Sequence, residues 1–445
     1  MSTDLPAPRN MRTFLLLWFG QMISIIGSGL TSFALGVWIF QKTGEATPFS
    51  ITVLMGNLPR ILVAPLAGAA ADRWSRRWIM IVTDSLNALV TLGLVLVVAA
   101  DALQLWMVYL SAAIFSVCSG FQDPAYSASV VHLVPKEQLG RANGLISLAQ
   151  SLEMLVSPLL AGLLLVTIGF SGVVFIDFIT FFFAVGALLL VRIPQPARED
   201  KAGASMRTVW ADMRFGLGYL RERPGLIGLL VYFAQVNFFL NFAAVLTTPL
   251  VLSFGSPATL GAVQVAMGVG MLAGSLIMSV WGGAKRRILT VVLCISMTGL
   301  GFVITAARPS AWVIGAGLFF LMLFIPMASA ASAVIFQSRV PPEVQGRVFS
   351  IRSMISTSMM PLAFLISGPL ADRVFEPLMR PGGGLSGTFL GAWLGTGAGR
   401  GIGVMFLLAG ALVILSSLLA WANPRIRNLE SELPEMAAAS SNAAQ

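Results

Sequence analysis

Val134-Pro-Lys-Glu-Gln-Leu-Gly-Arg141 and Val340-Pro-Pro-Glu-Val-Gln-Gly-Arg347 are two copies of one pattern, V-P-x-E-x-x-G-R, set 206 residues apart. The same offset pairs Gly68 with Gly274 and Gly162 with Gly368. Each octapeptide follows a long apolar run, the fourth of the chain in one case and the tenth in the other. A gapless match at equivalent positions makes the chain a parallel repeat of two halves, each carrying six such runs.

The composition says what solvent those runs face. Of 445 residues, 57% are hydrophobic and only 11% charged, whereas a soluble domain carries about 25% charged residues. So little charge cannot coat a water-facing surface, so lipid must surround most of the chain. Twelve runs reach the ~20 apolar residues that a bilayer core requires. They lie near 14–41, 49–71, 77–100, 104–131, 143–168, 172–193, 225–252, 258–281, 286–306, 310–337, 347–371 and 401–423. The runs are continuous rather than alternating, which argues for helices over strands. The expected fold is an all-α membrane protein with twelve transmembrane helices in two pseudo-symmetric six-helix halves. The first half is 1–193 and the second 225–423, joined by a polar linker over 194–224. Around Thr208–Arg221 the linker can form an amphipathic helix on the membrane face. The tail over 424–445, rich in Ala, Ser and Glu, lacks bulk to bury and is expected to be disordered. The first run, Phe14 to Phe40, is too long for a cleaved signal and stays as a span.

The net charge of +9 is spread over helix ends, not gathered in a patch, so it does not point to nucleic acid. Arg9, Arg12, Arg73, Arg76, Arg77, Lys136, Arg141, Lys285, Arg286, Arg287, Arg339, Arg347, Arg425 and Arg427 fall on one side of the membrane, and the linker adds more. The other side has Lys42, Arg308, Arg373, Arg380 and Arg400. The positive-inside rule then places both termini in the cytoplasm, in the cell's inner membrane. Cys118 and Cys294 lie within apolar runs and imply no disulfide framework. A single histidine, His132, is too few for a zinc cluster. No Walker A sequence, cofactor motif or nucleophile–base constellation is present, so neither ATP hydrolysis nor enzyme chemistry is expected. Gly268 to Gly274 is not a dinucleotide fingerprint, because it follows no strand.

One loop carries a family resemblance. Gly68-Ala-Ala-Ala-Asp72-Arg73-Trp-Ser-Arg76-Arg77 resembles G-x-x-x-D-R-x-x-R-R, the loop signature of the major facilitator superfamily. Trp18-Phe-Gly-Gln21, Pro124-Ala125, Arg141-Ala-Asn-Gly144, Ser157-Pro158 to Gly162, Phe175-Ile-Asp177 and Gly346-Arg-Val-Phe349 resemble its drug:proton antiporter branch, which holds macrolide-efflux and enterobactin-exporter proteins. In that branch's signature a glycine stands before the proline, where this chain has Ser157. The resemblance implies two halves rocking about a midplane site. It also implies that the loop abuts the start of span eleven near Arg347. Asp72 would meet the positive end of that helix, while Arg73 or Arg77, with Arg76 beside them, would meet Asp123 at the inner end of span four. Together these would latch the two halves.

Intramembrane charges mark the remaining candidates. Glu153 lies midway along span five, where an ionised, unpaired carboxylate is costly, so it must be protonated or paired. It is the first choice for proton coupling, with Asp84 as the second. Its bland alternative is a structural hydrogen bond, to Gln150 or to a neighbouring helix. Arg60, midway along span two, needs a partner or a water-filled cavity. Asp84 and Asp177 stand on spans three and six, peripheral in the implied fold, where a structural role is the simpler expectation. Gly144, Ser147, Ser151, Pro158 and Gly162 form a small-residue stripe suited to close helix packing. Gln21, Ser24 and Ser28 on span one, Gln150 on span five, and Gln235, Asn237 and Asn241 on span seven are the candidate cavity lining. With 21 Met and 29 Phe, such a pocket would be adaptable and mostly apolar. The expectation is a monomeric secondary active transporter exporting small amphiphilic molecules in exchange for protons. A siderophore or lysophospholipid carrier, or a non-transporting sensor or assembly protein, are the alternatives.

Overall fold

The computed structural model describes residues 10–191, 193 and 206–432. Among these residues all regular structure is helical, and twelve helices are long and apolar enough to cross a membrane. Spans one to six are Met11–Thr43, Ala46–Arg73, Arg76–Ala99, Leu105–Leu133, Leu139–Thr167 and Gly169–Leu190. Spans seven to twelve are Pro224–Leu252, Pro257–Trp281, Arg287–Ala307, Ala311–Arg339, Pro342–Leu370 and Arg400–Ala422. Local chemistry sets several ends. The Asn10 side chain accepts from the Arg12 N–H at the start of span one, and Gly44, at φ 68°, closes it with a bond to the Phe40 carbonyl, as a left-handed glycine cap does. Prolines interrupt spans two, four, five, seven, ten and eleven. Neighbouring side chains make such breaks tolerable in lipid: next to Pro59, the Arg60 N–H reaches Ser116 Oγ of span four at 3.0 Å.

The chain divides into two compact units, Met1–Gly203 with Ser256–Val265, and Ala204–Gly255 with Ala266–Gln445. In the first, span one is the hub, packed against spans five and six, while span two lies along span four. In the second, span nine packs between spans ten and twelve, and span eleven lies along span seven.

Two segments depart from expectation. Span eleven does not stop near residue 371. It continues through a π-helical turn, Ala371–Phe375, into Glu376–Met379. Glu376 explains the extension, because its carboxylate accepts the Gly399 N–H at 3.1 Å and the Ile402 N–H at 3.0 Å, pinning this end to the start of span twelve. The first part of the tail is also ordered, in the short helices Pro424–Arg427 and Leu429–Glu432. Ile426 and Leu429 supply the bulk the composition concealed, and both are buried. Glu430 accepts the Arg287 N–H at 2.7 Å, which fixes the tail to the start of span nine. The expectation of disorder for 433–445 lies outside the described residues, as do linker residues 194–205. The linker helix is present as Met206–Arg221.

Candidate functional site

The polar residues of span one do not line open space. Gln21 and Ser24 are buried. Gln21 Nε2 donates to Asp84 Oδ2 of span three at 2.9 Å, and its carbonyl accepts from Gln122 Nε2 of span four at 2.9 Å. Gln122 also donates to Asp84 Oδ1 at 2.7 Å. Asp84, 2% exposed, is therefore held by two amides in a closed triangle joining three helices. Ser28 donates to Asp177 Oδ1 of span six at 3.3 Å. These side chains were expected to face substrate. Instead Gln21 and Ser28 donate to two buried carboxylates, because an intramembrane carboxylate needs donors, and Ser24 is buried beside them on the same span.

Asp123 is the second correction. It lies ten residues before the end of span four, about 15 Å along the helix, and so not at the end of the span. Its ion pair is with Arg60 Nη1 of span two at 3.4 Å. The loop arginines are occupied elsewhere: Arg76 Nη1 donates to the Ala128 carbonyl at 3.1 Å, and Arg77 to the carbonyls of Leu188 and Leu189 at 2.8 and 2.7 Å. Arg77 ties the loop to the end of span six, where a cation complements the exposed carbonyls, and Arg76 ties it to span four. The side chain of Asp72 lies outside the described residues. Arg73 is exposed, and Arg347 stacks over Phe215 of the linker helix at 4.7 Å.

The Arg60–Asp123 pair is an open polar feature of the first unit. Its side chains are 57% and 61% exposed, in the middle of helices long enough to span a bilayer. Charges that exposed are costly against hydrocarbon, and the two meet that cost in part by pairing with each other. Glu153 is half-buried on span five. Among the described residues its carboxylate has no ion pair or hydrogen bond, so the structural bond to Gln150 is not made. Its neighbour is Gly29 of span one. A Cβ there would lie 3.3 Å from Glu153 Cγ and 2.5 Å from Ser157 Oγ, so the glycine is what lets span five approach. Ser157, which replaces the expected glycine, earns its place by donating to the Ile26 carbonyl at 3.0 Å. The small-residue stripe works only at this end of span five. Gly162 packs against Pro257 and Ala258, whereas nothing lies within 4 Å of a Cβ at Gly144.

In the second unit the amides of span seven fold back. Asn237 Nδ2 donates to the Phe233 carbonyl at 2.8 Å and Asn241 Nδ2 to the Asn237 carbonyl at 2.8 Å, while Gln235 reaches the Leu412 carbonyl of span twelve at 3.4 Å. Phe238, Phe239 and Phe242 cluster on the same span. Arg352 escaped the sequence reading, and Arg400, counted there only as a charge outside the membrane, is buried. Arg352, a lone cation in Phe349-Ser-Ile-Arg-Ser-Met-Ile355, lies over Phe336 and Phe233 at 5.0 and 5.8 Å. Arg400, 3% exposed, donates to the Leu394 carbonyl at 3.3 Å behind Glu376. A charge interrupting an apolar run was the available signal for Arg352. No group of three or more potential metal-ligating side chains occurs among the described residues.

Twelve spans in two compact units, the first carrying the buried carboxylates Asp84 and Asp177, define a polytopic membrane transporter of the two-halved kind. The chain belongs to the Major Facilitator Superfamily, which it matches over residues 17–364. It is 28% identical over 427 residues to Macrolide efflux protein A of Streptococcus pyogenes, covering 94% of this chain and 97% of that one. It is 26% identical over 392 residues to the multidrug efflux pump Tap of Mycolicibacterium fortuitum, covering 84% and 91%. Its fold resembles that of the nucleoside transporter NupG, with a TM-score of 0.69 at 12% identity over 92% of this chain and 99% of that one.

Proposed function

We propose that the protein exports small amphiphilic compounds of the macrolide or multidrug type, driven by inward proton flow and working by alternating access. Both termini are assigned to the cytoplasm on the distribution of Lys and Arg, and the membrane to the cell's inner one. The efflux names of its relatives support the substrate class and direction. The observation that carries the coupling is Glu153, a half-buried carboxylate midway along its span with neither cation nor hydrogen-bond donor among the described residues. A carboxylate so placed has no partner to hold its charge, which is what a site for a transported proton requires. Its place at Gly29 puts it where a small movement of span one changes its exposure. Arg60–Asp123 marks the wall along which substrate and protons arrive. Asp72 and Arg347 serve as the gate at the linker end, and span seven contributes Gln235, Asn237, Asn241 and the phenylalanine cluster to the pocket.

Glu153→Gln tests the proposal. It mimics the protonated acid with little change of shape. In proteoliposomes with an imposed pH gradient, the variant should bind erythromycin and exchange it down its gradient but fail to concentrate it. Undiminished uphill transport by the variant would place the proton carrier elsewhere.

A further inference from the structure

Asp177 takes no part in that proposal, yet its surroundings are unusual for a structural carboxylate. It is 1% exposed, eight residues inside span six, and among the described residues no cation pairs with it. Its side-chain neighbours are hydroxyls. Ser28 donates to Oδ1 at 3.3 Å, and Thr180, one helical turn along span six, approaches the same oxygen at 3.4 Å while donating to the Asp177 carbonyl at 2.7 Å. Thr31 stands one turn from Ser28 on span one. Its hydroxyl is buried beside the carboxylate. A Cβ at Gly27 would run into the Thr180 side chain and lie 3.0 Å from Asp177 Oδ1. The two helices therefore close over the group.

We propose that Asp177, with Ser28, Thr31 and Thr180, is a second proton-binding site, set on the other side of span one from Glu153. The chemistry of the shell points this way. A hydroxyl can donate to a carboxylate or accept from a carboxylic acid by turning its O–H. The proton adds to Oδ2, the oxygen that Ser28 and Thr180 leave open, while both still face Oδ1. Asp84 offers the contrast, because both its oxygens receive amide N–H groups from Gln21 and Gln122, and those donors suit only the charged form.

The other charges on the helices packed against span six do not engage Asp177. On span three, Asp84 is enclosed by its two glutamines, Arg76 bonds the Ala128 carbonyl, and Arg77 bonds carbonyls at the far end of span six. On span five, Glu153 packs on Gly29 and Arg141 is in the first turn. On span one, Arg12 and Lys42 sit at opposite ends. Ser28 and Gly29 are consecutive, so one residue of span one touches Asp177 and the next touches Glu153. Movement of this helix acts on both carboxyls at once. Only the transport role of the site rests on the proton-coupled function proposed above; the binding of a proton does not.

The test is infrared difference spectroscopy of the full-length protein in nanodiscs, without substrate, as pH is raised from about 4 to about 10, the span over which buried carboxyls titrate. We expect a carboxylic C=O band that disappears on titration, is absent in Asp177→Asn and persists in Glu153→Gln. Thr31→Val and Ser28→Ala should move the midpoint of that band and leave the Glu153 band in place, which covers the case in which Asp177→Asn does not fold. Three results would overturn the assignment: no band assignable to Asp177, a band that never titrates, or a melting temperature raised by sodium chloride over choline chloride in the wild type but not in Asp177→Asn. The last would make the site one for Na⁺. Because no transport is measured, failure here is separable from failure of the Glu153→Gln experiment.

Discussion

Glu153 and Gly29 are in contact: a Cβ on the glycine would stand 3.3 Å from Glu153 Cγ. The candidate proton carrier thus rests on a position of span one where a side chain is missing. Ser157 touches the same glycine and is fixed by the Ile26 carbonyl.

Gly29→Ala should therefore destabilise the first unit, since the new methyl meets Ser157 Oγ at 2.5 Å. Overpacking of this kind costs about 1–3 kcal/mol, which should appear as a lower melting temperature in detergent. Adding Ser157→Gly removes both the hydroxyl and the Cβ that stands 2.7 Å away, and should return part of the loss. If the double variant melts no higher than the single one, the crowding lies elsewhere.

The Arg60–Asp123 pair is so exposed that it should contribute under about 1 kcal/mol to stability. Arg60→Ala and Asp123→Ala should melt close to the wild type yet lose most export, measured as macrolide resistance in cells lacking their own pumps. Exchanging the two charges, as Arg60→Asp with Asp123→Arg, should restore part of the activity if the pair acts as a pair. Full activity of either alanine variant would reduce it to a surface feature.

Asp72→Asn removes a charge without changing volume. If the loop gates the linker end of the protein, transport should fall by an order of magnitude or more with normal folding, and labels across the gate should report a larger open fraction. A folded variant with unaltered transport and unaltered label distances would leave the loop with an anchoring role only.

Leu429→Ala should lower stability by about 2–3 kcal/mol, the usual cost of emptying a buried leucine site. Leu429 is 1% exposed and packs at Gly225 of span seven. Removal of residues 433–445 should leave the melting temperature unchanged. Both are read by thermal unfolding of the purified protein, and an unshifted Leu429→Ala variant would mean that the tail is not docked in solution.

The sequence by itself determined the twelve spans, their division into two repeated halves and the family. These follow from run length and from the V-P-x-E-x-x-G-R repeat, which are properties of the linear chain. Glu153 was legible for the same reason, as a charge interrupting an apolar run. What only the tertiary structure decided was partnership. Asp123 looks from its position in the chain like a mate for Arg77, yet it pairs with Arg60, because spans two and four lie side by side while Arg77 is spent on the end of span six. Gln21 and Ser28 look like cavity residues, yet they face Asp84 and Asp177. Helical periodicity says which residues share a face, but it does not say which helix that face meets. In lipid, where apolar residues are at home on every side, hydrophobicity does not tell a helix which way to turn. The buried carboxylates and the close approach at Gly29 supply that direction, and both exist only once the helices are packed.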